Sequence, residues 1–222
     1  MPHRHLYPHS KQPLASLSLS RLMRRSPSSP WLRGHKVCLS VGIFAAMLST
    51  ACGDPEGGMG VDAAQLPSVT MFVTDTRQDA NFGGIVGADA LCAQEAASAG
   101  LQGEYKAWLS TLSSSVASRL IQYDAPHILV DGTVVANNWQ DLVDGSINAP
   151  INLDATGSQR SGDVWTGTLA TGNSSPGDDC RGFTSGGVET ALCGDILSRE
   201  PAWTENITPP CSTILRLYCI QQ

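Results

Sequence analysis

The sequence predicts an α+β domain stapled by disulfides and carried behind an export leader. Three observations predict it. One clear helical periodicity stands early in the acidic part of the chain, and only short β-branched or aromatic runs follow it. Five cysteines (Cys92, Cys180, Cys193, Cys211 and Cys219) are spread through that acidic part. Ahead of it lies a basic, acid-free segment that ends on small residues directly before Cys52.

The charge split is sharp. Residues 1–51 hold seven of the 14 Lys and Arg and none of the 20 acidic residues, so the chain beyond Ala51 carries seven bases against 20 acids, a formal −13. Arg24, Arg25, Arg33 and Lys36 form a basic n-region, and Val37 to Leu48 is an apolar stretch too short for the about 20 residues that span a bilayer. Ser49-Thr50-Ala51 then offers a cleavage site. A start at Met23 gives this leader an ordinary length. A small residue before cysteine is also the mark of a lipoprotein signal peptide, which assigns Cys52 as the lipidated N-terminus and places the protein in the cell envelope. Ser49 departs from the aliphatic residue usual there, and ordinary signal peptidase accepts Ser49 and Ala51 equally. Gly53 to Pro67 is glycine-rich with almost nothing to bury, a flexible tether. The folded domain is therefore expected over residues 68–222.

Within it, Val69 to Thr74 reads as a strand and the glycine-rich Asn81 to Gly87 as a turn. Ala88, Leu91, Cys92, Glu95, Ala96 and Ala99 then fall on one helical face. Gly100 stands where a C′ glycine belongs, with Leu101 as the apolar contact of a Schellman stop. Tyr105 to Leu109 reads as a strand, and Ser113 to Leu120 as a second, serine-capped helix. The remaining β signals are short: Ile128 to Val130, Thr133 to Val135, Val164 to Thr168 and Leu215 to Ile220. Two early helices, short strands and long loops make the pattern α+β. In an oxidising compartment the five cysteines form a disulfide framework with one thiol over. A structural zinc site lacks its ligands, since there is no CxxC pair and His127 is the sole histidine after Ala51.

Catalytic patterns are weak. Any Ser-His-Asp or Cys-His arrangement has only His127 to use, beside Pro126 and ahead of Ile128-Leu129-Val130. Asp178 with Asp179, and Asp141 near Asp144, are carboxylate pairs in loops, which in so acidic a domain read first as solvated surface. Gly83-Gly84-Ile85-Val86-Gly87 lacks the lysine of a phosphate loop. The acidic balance argues against nucleic acid. No catalytic residue, metal or cofactor is expected.

Gly87-Ala88-Asp89-Ala90-Leu91-Cys92, Ala99-Gly100-Leu101 and Tyr105-Lys106-Ala107-Trp108-Leu109-Ser110 together resemble the first half of endostatin. Trp139-Gln140-Asp141-Leu142 with Gly145, and Cys211 with Leu215 and Leu217-Tyr218-Cys219-Ile220, resemble its later segments. The chain is similar to a bacterial lipoprotein domain related to it. The resemblance implies a C-type-lectin-like fold: two helices, a small twisted antiparallel sheet, long loops and nested disulfides. It pairs Cys92 with Cys219, and, through the segment Cys180 to Ser185, Cys180 with Cys211. A Cys193–Cys211 bridge stays open from the sequence. The calcium-dependent sugar motifs of lectins are incomplete here, since Glu200-Pro201-Ala202 lacks the amide and Trp203-Thr204-Glu205-Asn206 is a partial echo. The basic heparin patch and N-terminal zinc histidines of endostatin are missing too.

These readings converge on a noncatalytic, lipid-anchored envelope protein whose lectin-like loops bind an extracellular protein or carbohydrate. Its candidate ligand surface is Trp165, Asp178, Asp179, Trp203, Glu205 and Asn206. The tryptophans compete with a core role. The rival readings are an envelope hydrolase working through loop carboxylates and a purely structural envelope protein.

Overall fold

A computed structural model describes residues 67–222. The expected leader, the expected lipidation site Cys52 and the expected tether before Pro67 lie outside the described residues.

The domain is built on its last strand. Strands β1 (Val69–Val73), β2 (Tyr105–Ala107), β3 (His127–Leu129), β4 (Val134–Ala136), β5 (Asp163–Trp165), β6 (Cys193–Asp195) and β7 (Arg216–Gln221) form one curled sheet in the order β4-β3-β1-β7-β5-β6. β1 runs antiparallel along one edge of β7, with Phe72 opposite Cys219. The other edge is shared: β2 pairs with Cys219 to Gln221 and β5 with Arg216 and Leu217. The sheet is mixed rather than antiparallel, because β1 with β3 and β5 with β7 are parallel pairs. Each of those pairs needs a long crossover: the one from β1 to β3 contains the 14-residue helix Ile85–Ser98 and strand β2, and the one from β5 to β7 is loop with short turns and strand β6.

Both faces of the sheet are covered. Met71 and Val73 of β1 with Tyr218 and Ile220 of β7 face a core that contains Trp108, Trp139, Trp203, Leu142 and Ile151. Phe72, Leu217 and Cys219 face the opposite core, with Cys92, Leu109, Trp165 and Phe183. The side-chain period of two therefore splits each strand between two apolar layers, and both strands read as continuous apolar runs.

Helix α1 (Ile85–Ser98) begins three residues before the expected Ala88 and buries Ala88, Cys92 and Ala96. Its end follows the sequence signal: Gly100 has φ 77°, the Gly100 N–H donates to Ala97 O at 3.1 Å, and the Leu101 N–H to Ala96 O at 2.9 Å. These are the two bonds of a Schellman motif. The second expected helix contracts to one turn, α2 (Val116–Arg119), with Ser115 and Ser118 forming a reciprocal capping box. Thr111 and Ser114 pair as a bridge instead, as expected where hydroxyl side chains compete with helical backbone. A further turn, α3 (Trp139–Leu142), is capped by Asn138, and Pro201–Trp203 is a 3₁₀ turn.

Two disulfides close the domain, Cys92–Cys219 and Cys180–Cys211, with sequence separations of 127 and 31. Among the described residues Cys193 is the one free thiol, and burial followed by the charge of Asp163 pushes it up to about 12. That thiol is inert as a nucleophile at neutral pH. Two bridges are what an exported chain in an oxidising compartment carries. No described helix is long and apolar enough to cross a membrane.

His127 is fully buried in β3, and among the described residues neither ring nitrogen has a hydrogen-bond partner. Burial holds its pKa down at about 4, with the backbone of Ala125 and the charge of Asp141 opposing only in part. The unfolded chain takes up this proton near pH 6.5 and the folded one near pH 4. The stabilisation is therefore complete above 6.5 and is lost as pH falls toward 4, a difference of about 3 kcal/mol at 1.36 kcal/mol per unit. Urea titrations of the wild type should lose stability from pH 6.5 to 5, and His127→Phe should flatten that slope. An unchanged slope in the variant shows that His127 is not its source.

Candidate functional site

All four tryptophans of the domain are core. Trp108, Trp165 and Trp203 are fully buried and Trp139 is 4% exposed. The Trp203 ring packs against Trp108 at 5.1 Å and Tyr218 at 5.8 Å, while Trp165 meets Phe183 edge-on at 6.3 Å. Neither Trp165 nor Trp203 has a face left for a ligand, which corrects their place in the expected surface. With strands this short, the largest rings supply the area that makes a core.

Asp178 is exposed. Asp179 is engaged at both oxygens, by the Gly182 N–H at 2.7 Å and the Leu112 N–H at 2.9 Å. Glu205 accepts from the Ala170 N–H at 2.8 Å. Asn206 is exposed and lies beside the Asp163 carboxyl. The carboxylate pair that stands face to face is a different one: Asp163 and Asp195 are direct cross-strand neighbours on β5 and β6. Burial first, then the Asp195 charge, raises the Asp163 pKa. No group of three or more His, Cys, Asp or Glu that could hold a metal occurs among the described residues.

The loop that Asp179 holds is unusual. Cys180, Arg181, Gly182 and Phe183 have φ of 52°, 57°, 69° and 60°, four consecutive left-handed residues of which three carry a Cβ. Each such residue costs about 1–2 kcal/mol. The Cys180–Cys211 bridge, the buried Phe183 ring and the Asp179 carboxylate together hold the turn in place. Arg181 is left pointing outward, its side chain 74% exposed and paired with Glu189.

A preformed cleft of about 410 Å³ lies elsewhere, between α1, the segment Asp75-Thr76 after β1, and the loop 154–160. Glu95 fixes one wall by accepting the N–H groups of Asp75 at 2.7 Å and Thr76 at 2.9 Å. Asp154, 2% exposed, fixes the other. It accepts the Thr156 hydroxyl at 2.7 Å and the N–H groups of Thr156 at 2.8 Å and Ser158 at 3.0 Å. Burial alone raises the Asp154 carboxyl, but those donors and Arg160 outweigh it and hold it below its usual value. Arg160 bridges Asp154 to Asp75, the latter at 3.0 Å. Leu91, Ala99 and Ala155 add apolar lining, while Gln94 and Ser98 are exposed on its α1 side. The cleft thus offers amide, hydroxyl and carboxylate groups around a small apolar area.

Sequence reasoning missed Asp75, Asp154 and Arg160, which nothing local distinguishes. Glu95 did carry a signal, as the one carboxylate in the otherwise apolar stripe of α1. No protein-family model matches the chain, and no curated protein matches it either.

The left-handed turn gives a paired test. Gly182→Ala should lose about 1–2 kcal/mol by backbone strain alone, since an added Cβ meets only Thr111 Cγ2 at 3.9 Å. Arg181→Gly should gain about 1 kcal/mol, because the exposed pair with Glu189 contributes less than that. Chemical denaturation measures both, and a destabilised Arg181→Gly protein overturns the strain assignment.

Proposed function

We propose that the protein is a noncatalytic cell-envelope lipoprotein, anchored through Cys52, that presents a C-type-lectin-like domain as a binding module for an extracellular protein or glycan. The observation that carries this reading is the preformed cleft between α1 and the loop 154–160. Its groups are held by backbone donors and a half-buried ion pair, so a ligand meets an ordered site and little conformational entropy is lost on binding. Its volume of about 410 Å³ falls within the roughly 300–1,000 Å³ of small-ligand pockets. The nesting of Cys180–Cys211 inside Cys92–Cys219 is consistent with the lectin-like arrangement.

The hydrolase reading moves from Asp178 and Asp179 to Asp163 and Asp195. The raised Asp163 beside a second carboxylate has the character of an acid–base pair. It takes second place because the Leu197 N–H, at 2.9 Å, already engages Asp195.

Two measurements test the proposal. Cys52→Ala, with Ser49 and Ala51 still open to ordinary signal peptidase, should move the protein from the membrane fraction to the soluble one; continued sedimentation with membranes places the anchor elsewhere. The released protein, applied to glycan and extracellular-protein arrays, should bind without consuming its ligand. Ser98→Trp, which fills the cleft from an exposed helical position, should abolish that binding. Turnover on the array returns the assignment to the hydrolase, and binding indifferent to Ser98→Trp removes the cleft.

A further inference from the structure

The three most exposed large apolar side chains of the domain are Val188, Val86 and Leu112, at 91%, 81% and 61%. They stand far apart in sequence, yet each belongs to a segment that touches the left-handed turn Cys180–Phe183. Leu112 donates its N–H to Asp179, and the Thr111 methyl lies 3.9 Å from where a Gly182 Cβ would sit. From another side, Phe82 and Gly84 donate their N–H groups to Phe183 O at 3.1 and 2.9 Å, immediately before α1 and Val86. Glu189, next to Val188, pairs with Arg181. The fold thus gathers three exposed apolar tips around one strained turn. Exposed apolar residues that stand singly are ordinary; what sets these three apart is that the segment of each is tied to the same turn. The strain is a second, independent sign, since backbone held in sparsely populated conformations clusters at functional sites.

We infer that this face is a protein-docking surface, separate from the cleft, whose partner is a basic protein segment with apolar side chains between its Lys or Arg residues. Charge selects that occupant. Around the turn stand Asp79, Asp178, Asp179 and Glu189 against Arg181 alone, which Glu189 already pairs. Asp79 belongs to the same face, since a Cβ on Gly186 would lie 2.3 Å from its Oδ2. The described residues also hold only seven Lys and Arg against 17 acids, so the whole domain attracts a basic partner and repels a second copy of itself. Apolar anchors inside a charged rim are the ordinary build of such an interface.

The test uses the soluble Cys52→Ala protein and three synthetic peptides of equal length: alternating Lys and Leu, alternating Lys and Ser, and alternating Glu and Leu. Amide chemical-shift mapping should place the Lys–Leu peptide on Val86, Leu112, Arg181 and Val188, with Gln94 and Ser98 of the cleft unmoved. The other two peptides should bind at least tenfold more weakly, since one lacks the anchors and the other the charge. Leu112→Ser and Val188→Ser, exposed changes that leave the charge untouched, should each weaken the Lys–Leu peptide about tenfold. Equal affinity for Lys–Ser reduces the effect to general charge attraction and overturns the surface. Shifts confined to the cleft overturn it as well, while leaving the binding-module reading in place. Self-association in sedimentation, lost in Val188→Ser, makes a second copy the occupant and overturns the basic partner.

Discussion

Everything in the domain hangs on six residues at the end of the chain. Strand β7 pairs with β1 on one edge and with β2 and β5 on the other, and its Cys219 is bonded to the middle of α1. The Tyr218 hydroxyl, fully buried, donates to Trp203 O at 3.1 Å, and the Leu217 N–H donates to the Thr74 hydroxyl at 2.9 Å. Without β7 the first strand has no antiparallel partner, the helix has no covalent anchor, and neither apolar layer has its centre. The earlier elements are too short to persist alone, as the three-residue strands and single-turn helices show. The domain is thus completed only where β7 pairs back onto β1 and is bridged to α1. By chain entropy, closing a loop of 127 residues contributes up to about 5 kcal/mol once the bridge forms.

The same dependence explains what was legible in the sequence. Helix α1 and its stop are local, and the Ala88-Cys92-Ala96 stripe with Gly100-Leu101 spelled them out. β1 and β7 were legible because a strand buried on both faces reads as an unbroken apolar run. β6 was not: Cys193-Gly194-Asp195 has no β propensity to speak of. It is held by pairing with β5 and by the Cys193 N–H donating to Ile207 O at 2.8 Å. α2 and α3 are set by caps, Ser115 and Asn138, and the sequence showed serine near the first but overextended the helix. The left-handed turn was beyond reach, because Cys-Arg-Gly-Phe holds a single glycine and its backbone is dictated by a disulfide, a buried ring and a carboxylate from outside.

The candidate site divides along similar lines. Asp178 and Asp179 were picked out as a loop pair, and the structure makes one of them the brace of the turn. Trp165 and Trp203 read as ligand surface from the sequence, but strands this short need the largest rings for the core. Trp108, Trp139 and Trp203 belong to one apolar layer and Trp165 to the other, which leaves polar groups to line the surface. The groups that form the cleft come from three distant segments, Asp75, Glu95 and Asp154 to Arg160, and only tertiary structure brings them together.

A buried hydroxyl chain ties several of the loops together. The Trp108 N–H donates to the Thr204 hydroxyl at 2.9 Å, that hydroxyl donates to Thr168 O at 3.1 Å, and the Thr168 hydroxyl contacts Ser110 at 2.8 Å. Ser110 in turn accepts the Val116 N–H at 3.0 Å, and the Thr166 hydroxyl donates to Thr204 O at 2.6 Å. Loops that would otherwise be loose are thereby fixed to β2, β5 and the 3₁₀ turn, and a satisfied buried network specifies one arrangement more strongly than apolar packing does. This lets a domain with little regular structure hold a strained turn on one face and a preformed cleft elsewhere. The strain at Cys180–Phe183 persists because the framework around it is already over-determined, and the same framework keeps the exposed Val86, Leu112 and Val188 in fixed positions. A partner that docks there meets anchors that are already ordered, so the affinity it gains is reduced by little ordering of the protein.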